Sequence, residues 1–113
     1  MPPGTSASMG VGHSGEPEGA SDEELMRRVA RLDPTAYTAL YDRHCGAAFS
    51  LAHSILGDRG ADQVVEEAFM SLWATASSYG PAHGTVRAWL LARVHARSAA
   101  VLRRLTEDEG QRR

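Results

Sequence analysis

The stretch GTVRAWLLARVHARSAAVLRR, residues 84–104, decides how the rest of this chain is organised. It holds five arginines, one of the two tryptophans and the densest apolar run, and no proline or further glycine interrupts it before Gly110. Thr85 is placed to cap a helix through its hydroxyl group. The stretch therefore predicts a helix of about five turns with one buried face. The apolar positions that define this face are Val86, Leu90, Val94 and Val101.

The composition limits the chain to one small domain. Its 113 residues carry a net charge of −2, and all twelve basic residues are arginine. A domain of this size buries roughly 60–65% of its unfolded surface, which leaves room for a core but not for a deep catalytic cleft. The charge is unevenly placed, because acids gather before residue 68 and at 107–109, whereas five arginines fall between 87 and 104.

Cysteine and histidine usage argues against disulfides, metals and catalysis. Cys45 is the only cysteine, which excludes an internal disulfide and is typical of a reducing cytoplasm. No signal-peptide layout and no apolar run near ~20 residues occurs, so we expect a cytoplasmic protein outside the membrane. His44 and Cys45 diverge on a helix, and no pair has the spacing of a zinc site. We predict no metal, no cofactor and no enzymatic activity.

Two further helices are predicted near the N-terminus. Residues 1–20 are rich in Gly, Pro and Ser and are expected to form a disordered tail. Ser21 and Glu24 have the spacing of a capping box, in which the serine caps the first helix and the glutamate reaches back. Asp33 and Pro34 then cap and begin a second, long helix.

The remaining segments complete an all-α pattern. A third helix is predicted over residues 61–77, and the loop 78–84 connects it to the fourth. Residues 106–113, TEDEGQRR, predict a solvated C-terminal tail. No segment has the two-residue alternation of a strand. The predicted fold is a four-helix bundle over residues 21–105, with two short and two long helices.

The third helix carries a polar face that is rich in carboxylates. Asp62, Gln63, Glu66 and Glu67 are predicted to point away from its apolar positions. Their charge suits the N-terminal half of a helix, where the helix dipole favours anions. From the residues alone, this face is either a docking surface or an ordinary solvated face.

The loop and the fourth helix offer groups that can bind a polyanion or serve the fold. Arginine is a bidentate donor to phosphate, but surface arginines also pair with acids. Tyr79 can stack on a nucleobase or anchor the loop to the bundle. Trp73 and Trp89 adjoin the apolar faces and are expected in the core. The candidate nucleic-acid ligands are Tyr79, Arg87, His95, Arg97, Arg103 and Arg104.

Five segments, taken in order, resemble a known module. They are ASDEELMRRVARLDPTAYTALYDRH (20–44), SILGDRG (54–60), VVEEAFMSLW (64–73), YGPAHGTVRAWLL (79–91) and VLRR (101–104). Their order and spacing resemble region 2, the promoter-binding helical domain of bacterial extracytoplasmic-function (ECF) sigma factors. The resemblance covers residues 21–105.

This resemblance implies two binding surfaces and no catalysis. The third helix would bind the β′ clamp helices of core RNA polymerase, through Asp62, Gln63, Glu66 and Glu67. The loop and the fourth helix would hold the non-template strand of the promoter near the start site, help melt it and capture a flipped base. Base stacking beside an arginine-lined groove is a general means of binding a single strand. An anti-sigma protein is a further candidate partner.

Four features depart from the family pattern. The acidic pair expected early in the third helix reads Asp62-Gln63. Ala96 and Ala100 stand where the family's fourth helix commonly has polar residues, and alanine has no donor or acceptor for a base edge. Arg93 falls inside the buried stripe, where it must extend to the surface or find an acid. The sequence stops where a linker to the family's second helical domain is expected.

The departures leave two functions open. In the first, the chain is a sigma-factor-like transcription initiation protein that binds core RNA polymerase and promoter DNA. In the second, the bundle is only an interaction module, which pairs with an anti-sigma protein, a separate sigma fragment or itself and does not recognise a promoter.

Overall fold

The computed structural model describes residues 19–111, so the predicted tail over residues 1–20 falls almost entirely outside the described residues. The helices are α1 (Asp22–Ala30), α2 (Pro34–Leu56), α3 (Ala61–Met70), α4 (Leu72–Thr75) and α5 (Val86–Gln111), with 3₁₀ turns at Ala76–Ser78 and Pro81–His83. No strand occurs among residues 19–111. The prediction of an all-α bundle is confirmed.

The predicted helix starts are found, with one correction. Asp33 accepts a hydrogen bond from the Thr35 N–H at 2.9 Å, and Ser21 accepts one from the Glu24 N–H at 3.1 Å. The second half of the predicted capping box is wrong. The Glu24 carboxylate pairs instead with Arg27 at 2.7 Å and Arg28 at 3.1 Å. Charged guanidinium donors three and four residues ahead are stronger partners than a neutral backbone N–H.

The turn between α1 and α2 places a leucine in the left-handed conformation. Leu32 has φ +67°, and its side chain is 67% exposed. The Leu32 N–H donates to the Val29 carbonyl at 2.8 Å, and the Asp33 N–H donates to the Arg28 carbonyl at 3.0 Å. These two bonds form a Schellman motif, in which the left-handed position is usually glycine.

The third predicted helix is broken at Ser71. The Ser71 hydroxyl donates to the Ala68 carbonyl at 2.7 Å, and the Thr75 hydroxyl donates to the Ser71 carbonyl at 2.8 Å. Hydroxyl side chains of this kind compete with the backbone for helical carbonyls and bend helices. The chain therefore continues as the short α4 and tightens into a 3₁₀ turn, rather than as one helix over 61–77.

The core lies where α2 packs against α1, α3 and α5, and α3 also contacts α5. The predicted buried face of α5 is confirmed at Val86, Leu90 and Val94, and Ser98 extends it. The Ser98 hydroxyl is fully buried and makes no hydrogen bond. Trp73 and Trp89, which were expected in the core, are only half-buried against it. Val101, the last apolar position of the α5 face, is half-buried as well.

The last helix is longer than predicted. It continues through Gln111, so residues 106–111 are helical rather than an irregular tail. Their side chains are exposed, as expected of a solvated segment. An ion pair between Arg59 and Glu109, 2.8 Å long, joins this end of α5 to the turn before α3.

Candidate functional site

The acidic face of α3, formed by Asp62, Gln63, Glu66 and Glu67, is exposed at all four positions. The Gln63 amide donates to the Glu67 carboxylate at 3.2 Å. Asp62 lies 3.2 Å from Nε2 of His53, on α2. Burial raises the pKa of Tyr37, and the nearby Glu66 carboxylate adds to the shift. The face therefore presents carboxylates to solvent while its edge remains tied to α2.

The acidic face meets an arginine of α5 directly. The Arg97 guanidinium lies 3.9 Å from the Glu67 carboxylate, and the two side chains are 39% and 52% exposed. An exposed pair of this length contributes less than about 1 kcal/mol. Next to it, a groove of about 380 Å³ runs between α3 and α5, lined by Gln63, Glu67 and Arg104 among others. The candidate polymerase and DNA ligands therefore adjoin each other at Glu67.

The candidate ligands on α5 do not form a single patch. Arg97 and Arg104 are seven residues apart and share the side next to α3. Arg103 is turned by about 100° from Arg104, and His95 by about 200° from Arg97. Arg87 lies roughly 25 Å along the helix axis from Arg104. His95, Arg103 and Arg104 are exposed.

Tyr79 anchors the loop to the start of α5. Its hydroxyl donates to the Gly84 carbonyl at 2.6 Å, and its ring packs edge-on against Trp89, with centroids 5.5 Å apart. Desolvation raises the pKa of Tyr79, with a further contribution from the carboxylates of Glu23 and Asp22. Of the two roles considered for Tyr79, the structure shows the anchoring role, and base stacking stays a prediction.

A groove of about 440 Å³ separates this loop from α1. Its lining is mainly apolar and includes Met26 and Tyr79, with Arg27, Arg31 and the acidic Glu23 at the α1 side. An apolar groove with an aromatic wall and arginines has the chemistry to hold a nucleobase and its phosphate.

Arg87 is exposed, but its guanidinium contacts a buried histidine, which the sequence did not predict. One of its terminal nitrogens lies 3.1 Å from Nδ1 of His44, a residue only 4% exposed. Nε2 of His44 lies 2.8 Å from one oxygen of Asp22, and Arg43 donates to the other at 2.9 Å. The Asp22–His44–Arg87 network therefore joins α1, α2 and α5.

The spacing of apolar residues in the sequence indicates that His44 is buried. Leu40, His44, Ala48 and Ala52 follow one another every four residues along α2, and all are buried. Residues at this spacing share one helix face. The periodicity thus predicts burial of His44, but not its partners.

Arg93 extends over an aromatic ring rather than to an acid. Its guanidinium carbon lies 4.9 Å from the centre of the Trp89 ring, which is the geometry of a cation–π interaction. Its Nε atom is buried and makes no hydrogen bond. The cation–π contact with Trp89 therefore accommodates the charged Arg93 side chain beside the buried face of α5.

Residues 19–111 hold neither a metal-binding cluster nor a membrane-spanning helix. No group of three or more His, Cys, Asp or Glu side chains there is arranged to hold a metal ion. None of the helices in this part of the chain combines the length and the apolar character needed to span a bilayer.

Comparisons with known proteins agree with the resemblance seen in the motifs. The ECF RNA polymerase sigma factor SigK of Mycobacterium ulcerans (strain Agy99) is 35% identical over 100 residues, which are 86% of this chain and 52% of that protein. The SigK protein of Mycobacterium bovis (strain BCG / Pasteur 1173P2) is 34% identical over 102 residues, 88% of this chain and 54% of that protein. The chain thus spans about half the length of these curated relatives.

A family model matches the chain, whereas no solved structure does at a significant level. The family model for sigma-70 region 2 matches residues 40–107, from the second turn of α2 to the last turns of α5. Because this match covers more than half of the chain, the protein belongs to the sigma-70 family.

Proposed function

We propose that this chain binds core RNA polymerase through the acidic face of α3 and promoter DNA through the loop and α5, as a non-catalytic sigma-like initiation protein. The observation that carries the proposal is the exposure of all four acidic-face side chains on a helix whose buried side is locked into the core. A rigid helix with outward carboxylates suits a basic partner surface, here the β′ clamp helices.

The promoter strand would enter at the loop. Tyr79 holds the loop against α5, and the apolar groove behind it, with Arg31 at its edge, can receive an unstacked base. His95 and Arg103 are exposed further along α5 and can contact phosphates. Arg97 lies between the two surfaces, so polymerase binding at Glu67 would also free its guanidinium for DNA.

A pull-down with core RNA polymerase tests the docking half. The variant carrying Glu66→Arg and Glu67→Arg reverses the charge of the acidic face and should lose binding. A control carrying Asp42→Arg and Glu107→Arg makes the same charge change at exposed positions elsewhere and should bind like the wild type. Equal binding of both variants, or binding by none of the proteins, would show that the docking proposal is wrong.

Fluorescence anisotropy on a single-stranded non-template promoter oligonucleotide tests the DNA half. Binding should exceed that of a scrambled oligonucleotide and weaken with salt. The variant carrying Arg97→Ala and Arg103→Ala should lower the slope of log affinity against log salt by about 0.7 per lost phosphate contact. Arg59→Ala, which removes an arginine paired with Glu109, should leave the slope unchanged.

The second function, an interaction module without promoter recognition, is favoured by two observations. Arg87 and Arg97 are both engaged by side chains of the protein itself, at 3.1 Å and 3.9 Å. Ala96 and Ala100 offer no group to a base edge. Sequence-dependent binding to the promoter oligonucleotide would exclude this function, whereas polymerase binding without any DNA binding would favour it.

A further inference from the structure

The contacts of the Asp22–His44–Arg87 network suit one tautomer of its histidine. Arginine has donors and no acceptor, so the nitrogen that faces Arg87, Nδ1 of His44, must carry a lone pair. A neutral imidazole has one N–H, which must then lie on Nε2 and point at Asp22, 2.8 Å away. The positions of Asp22 and Arg87 therefore match the hydrogen-bonding pattern of the Nε2–H tautomer of His44.

A second proton on His44 would disrupt one side of this network only. It would have to occupy Nδ1, and its N–H would then face the Arg87 guanidinium at 3.1 Å, donor against donor and cation against cation. The bond to Asp22 would survive, because the carboxylate accepts from either form of the ring. We propose that His44 positions Arg87 through a hydrogen bond that only the neutral imidazole can make, so that protonation of His44 releases Arg87.

The charged groups around His44 come from three helices. Asp22 lies against Nε2 and is itself held by Arg43 of α2, while Arg87 of α5 lies against Nδ1. Glu23 and Glu24 are the other carboxylates in the first turn of α1. Glu23 acts on Tyr79 together with Asp22, and Glu24 pairs with Arg27 and Arg28 of its own helix.

The titratable side chains of α3 are engaged elsewhere or face solvent. Asp62 lies against His53, Glu66 acts on Tyr37, and Glu67 lies against Arg97. Asp22 and Arg87 are therefore the charged side chains in direct contact with the His44 ring.

Release of Arg87 has a consequence at the candidate DNA surface. Arg87 belongs to the first turn of α5, which begins where the loop anchored by Tyr79 ends. This consequence rests on the proposed function: the freed guanidinium is one more phosphate ligand beside the loop at low pH. The positioning of Arg87 by His44 does not depend on DNA and is tested without it.

Nuclear magnetic resonance of the ¹⁵N-labelled chain between about pH 5 and 8, where histidines titrate, decides the positioning proposal. At the upper end, His44 should show an unprotonated Nδ1 and a protonated Nε2. The guanidinium of Arg87 should rotate slowly there and lose this restraint with the same midpoint as His44. A protonated Nδ1 in the neutral form, or Arg87 signals that ignore the titration of His44, would overturn the proposal.

Two variants separate positioning from a merely structural role. His44→Gln removes the titrating group, and the restraint on Arg87 should then no longer change with pH. His53→Gln removes an exposed histidine of the same helix and should leave the coupled titration of His44 and Arg87 intact. Loss of that coupling in His53→Gln, or its persistence in His44→Gln, would contradict the assignment.

The DNA arm uses the single-stranded oligonucleotide at the two ends of the pH range. The salt slope of the wild type should steepen at low pH by about 0.7 more than that of Arg87→Gln, the value for one further phosphate contact, because any contribution from His95 is common to both proteins. An equal change in both proteins would show that Arg87 release does not act on DNA. No DNA binding at any pH would refute the proposed function, while the magnetic resonance result would still decide the role of His44.

Discussion

At the scale of single residues, two positions carry a local cost that the rest of the fold offsets. Leu32 has a left-handed backbone, which is unfavourable for any residue with a Cβ atom, and most of its side chain is exposed. The Ser98 hydroxyl is buried without a hydrogen-bond partner. Folding therefore removes its hydrogen bonds to water without replacing them, which costs free energy. Both costs can be removed by a single substitution.

Replacing the leucine of the α1–α2 turn by glycine should stabilise the protein. Leu32→Gly removes the left-handed strain and gives up little buried surface, so we expect a gain of about 0.5–1 kcal/mol. Urea unfolding followed by circular dichroism measures it. Leu32→Ala keeps a Cβ atom and should give no such gain, and a comparable gain in both variants would mean that strain is not the cause.

Removing the buried hydroxyl of α5 should also stabilise the protein. Ser98→Ala eliminates an unsatisfied polar group from the core, with an expected gain of about 1–2 kcal/mol in the free energy of unfolding. Ser54→Ala is the matched control, because the Ser54 hydroxyl is exposed and already donates to the Leu51 carbonyl. A loss of stability in Ser98→Ala would show that this hydroxyl has a partner after all.

At the scale of elements, α1 is stabilised by its own ion pairs. Hydrogen bonds from Arg27 and then Arg28 lower the pKa of Glu24 below its ordinary value of 4.5. Lowering the pKa in the folded state means that the ionised carboxylate favours folding. This contribution is therefore present above about pH 4.5 and is lost as the pH falls through the lowered folded-state pKa.

The pH dependence of the stability of a Glu24→Gln variant checks the direction of this effect. At pH 7 the variant should be less stable than the wild type, and the difference should shrink as the pH drops below 4.5. Urea unfolding at several pH values measures both proteins. Glu107→Gln, an exposed position near the end of α5, should match the wild type throughout. A Glu24→Gln deficit that grows at acidic pH would contradict the role assigned to the carboxylate.

At the scale of the whole molecule, the Asp22–His44–Arg87 network joins three helices that the core also brings together. Asp22 accepts from His44 and Arg43 at 2.8 and 2.9 Å, so one carboxylate serves two donors of α2. His44 is only 4% exposed and cannot exchange this partner for bulk water. Loss of the carboxylate would leave a buried N–H without an acceptor.

Asp22→Ala should therefore cost roughly 2–3 kcal/mol of unfolding free energy. Thermal or urea unfolding gives this value. Glu23→Ala, the neighbouring carboxylate at the start of α1, should change stability by less than about 0.5 kcal/mol. Similar losses in the two variants would mean that helix N-terminal charge, rather than the network, is responsible.

Local spacing in the sequence determined most of the fold and part of the candidate site. Helix caps depend on residues two to three apart, so Asp33 and Thr85 were predicted correctly, and Thr85 accepts from the Ala88 N–H at 3.0 Å. The buried face of α5 and the exposed acidic face of α3 follow from a repeat of 3.6 residues, which a sequence displays directly. The family resemblance was carried by the same short segments.

Tertiary structure alone decided which polar groups meet. Asp22, His44 and Arg87 are 22 and 43 residues apart, and Glu67 and Arg97 sit on different helices, so no local pattern encodes their contacts. Even the local partner of Glu24 was settled by competition between donors, which spacing does not rank. Periodicity fixes which side of a helix a residue occupies. Only the packing of one helix against another fixes what stands opposite it, because that depends on every side chain between them.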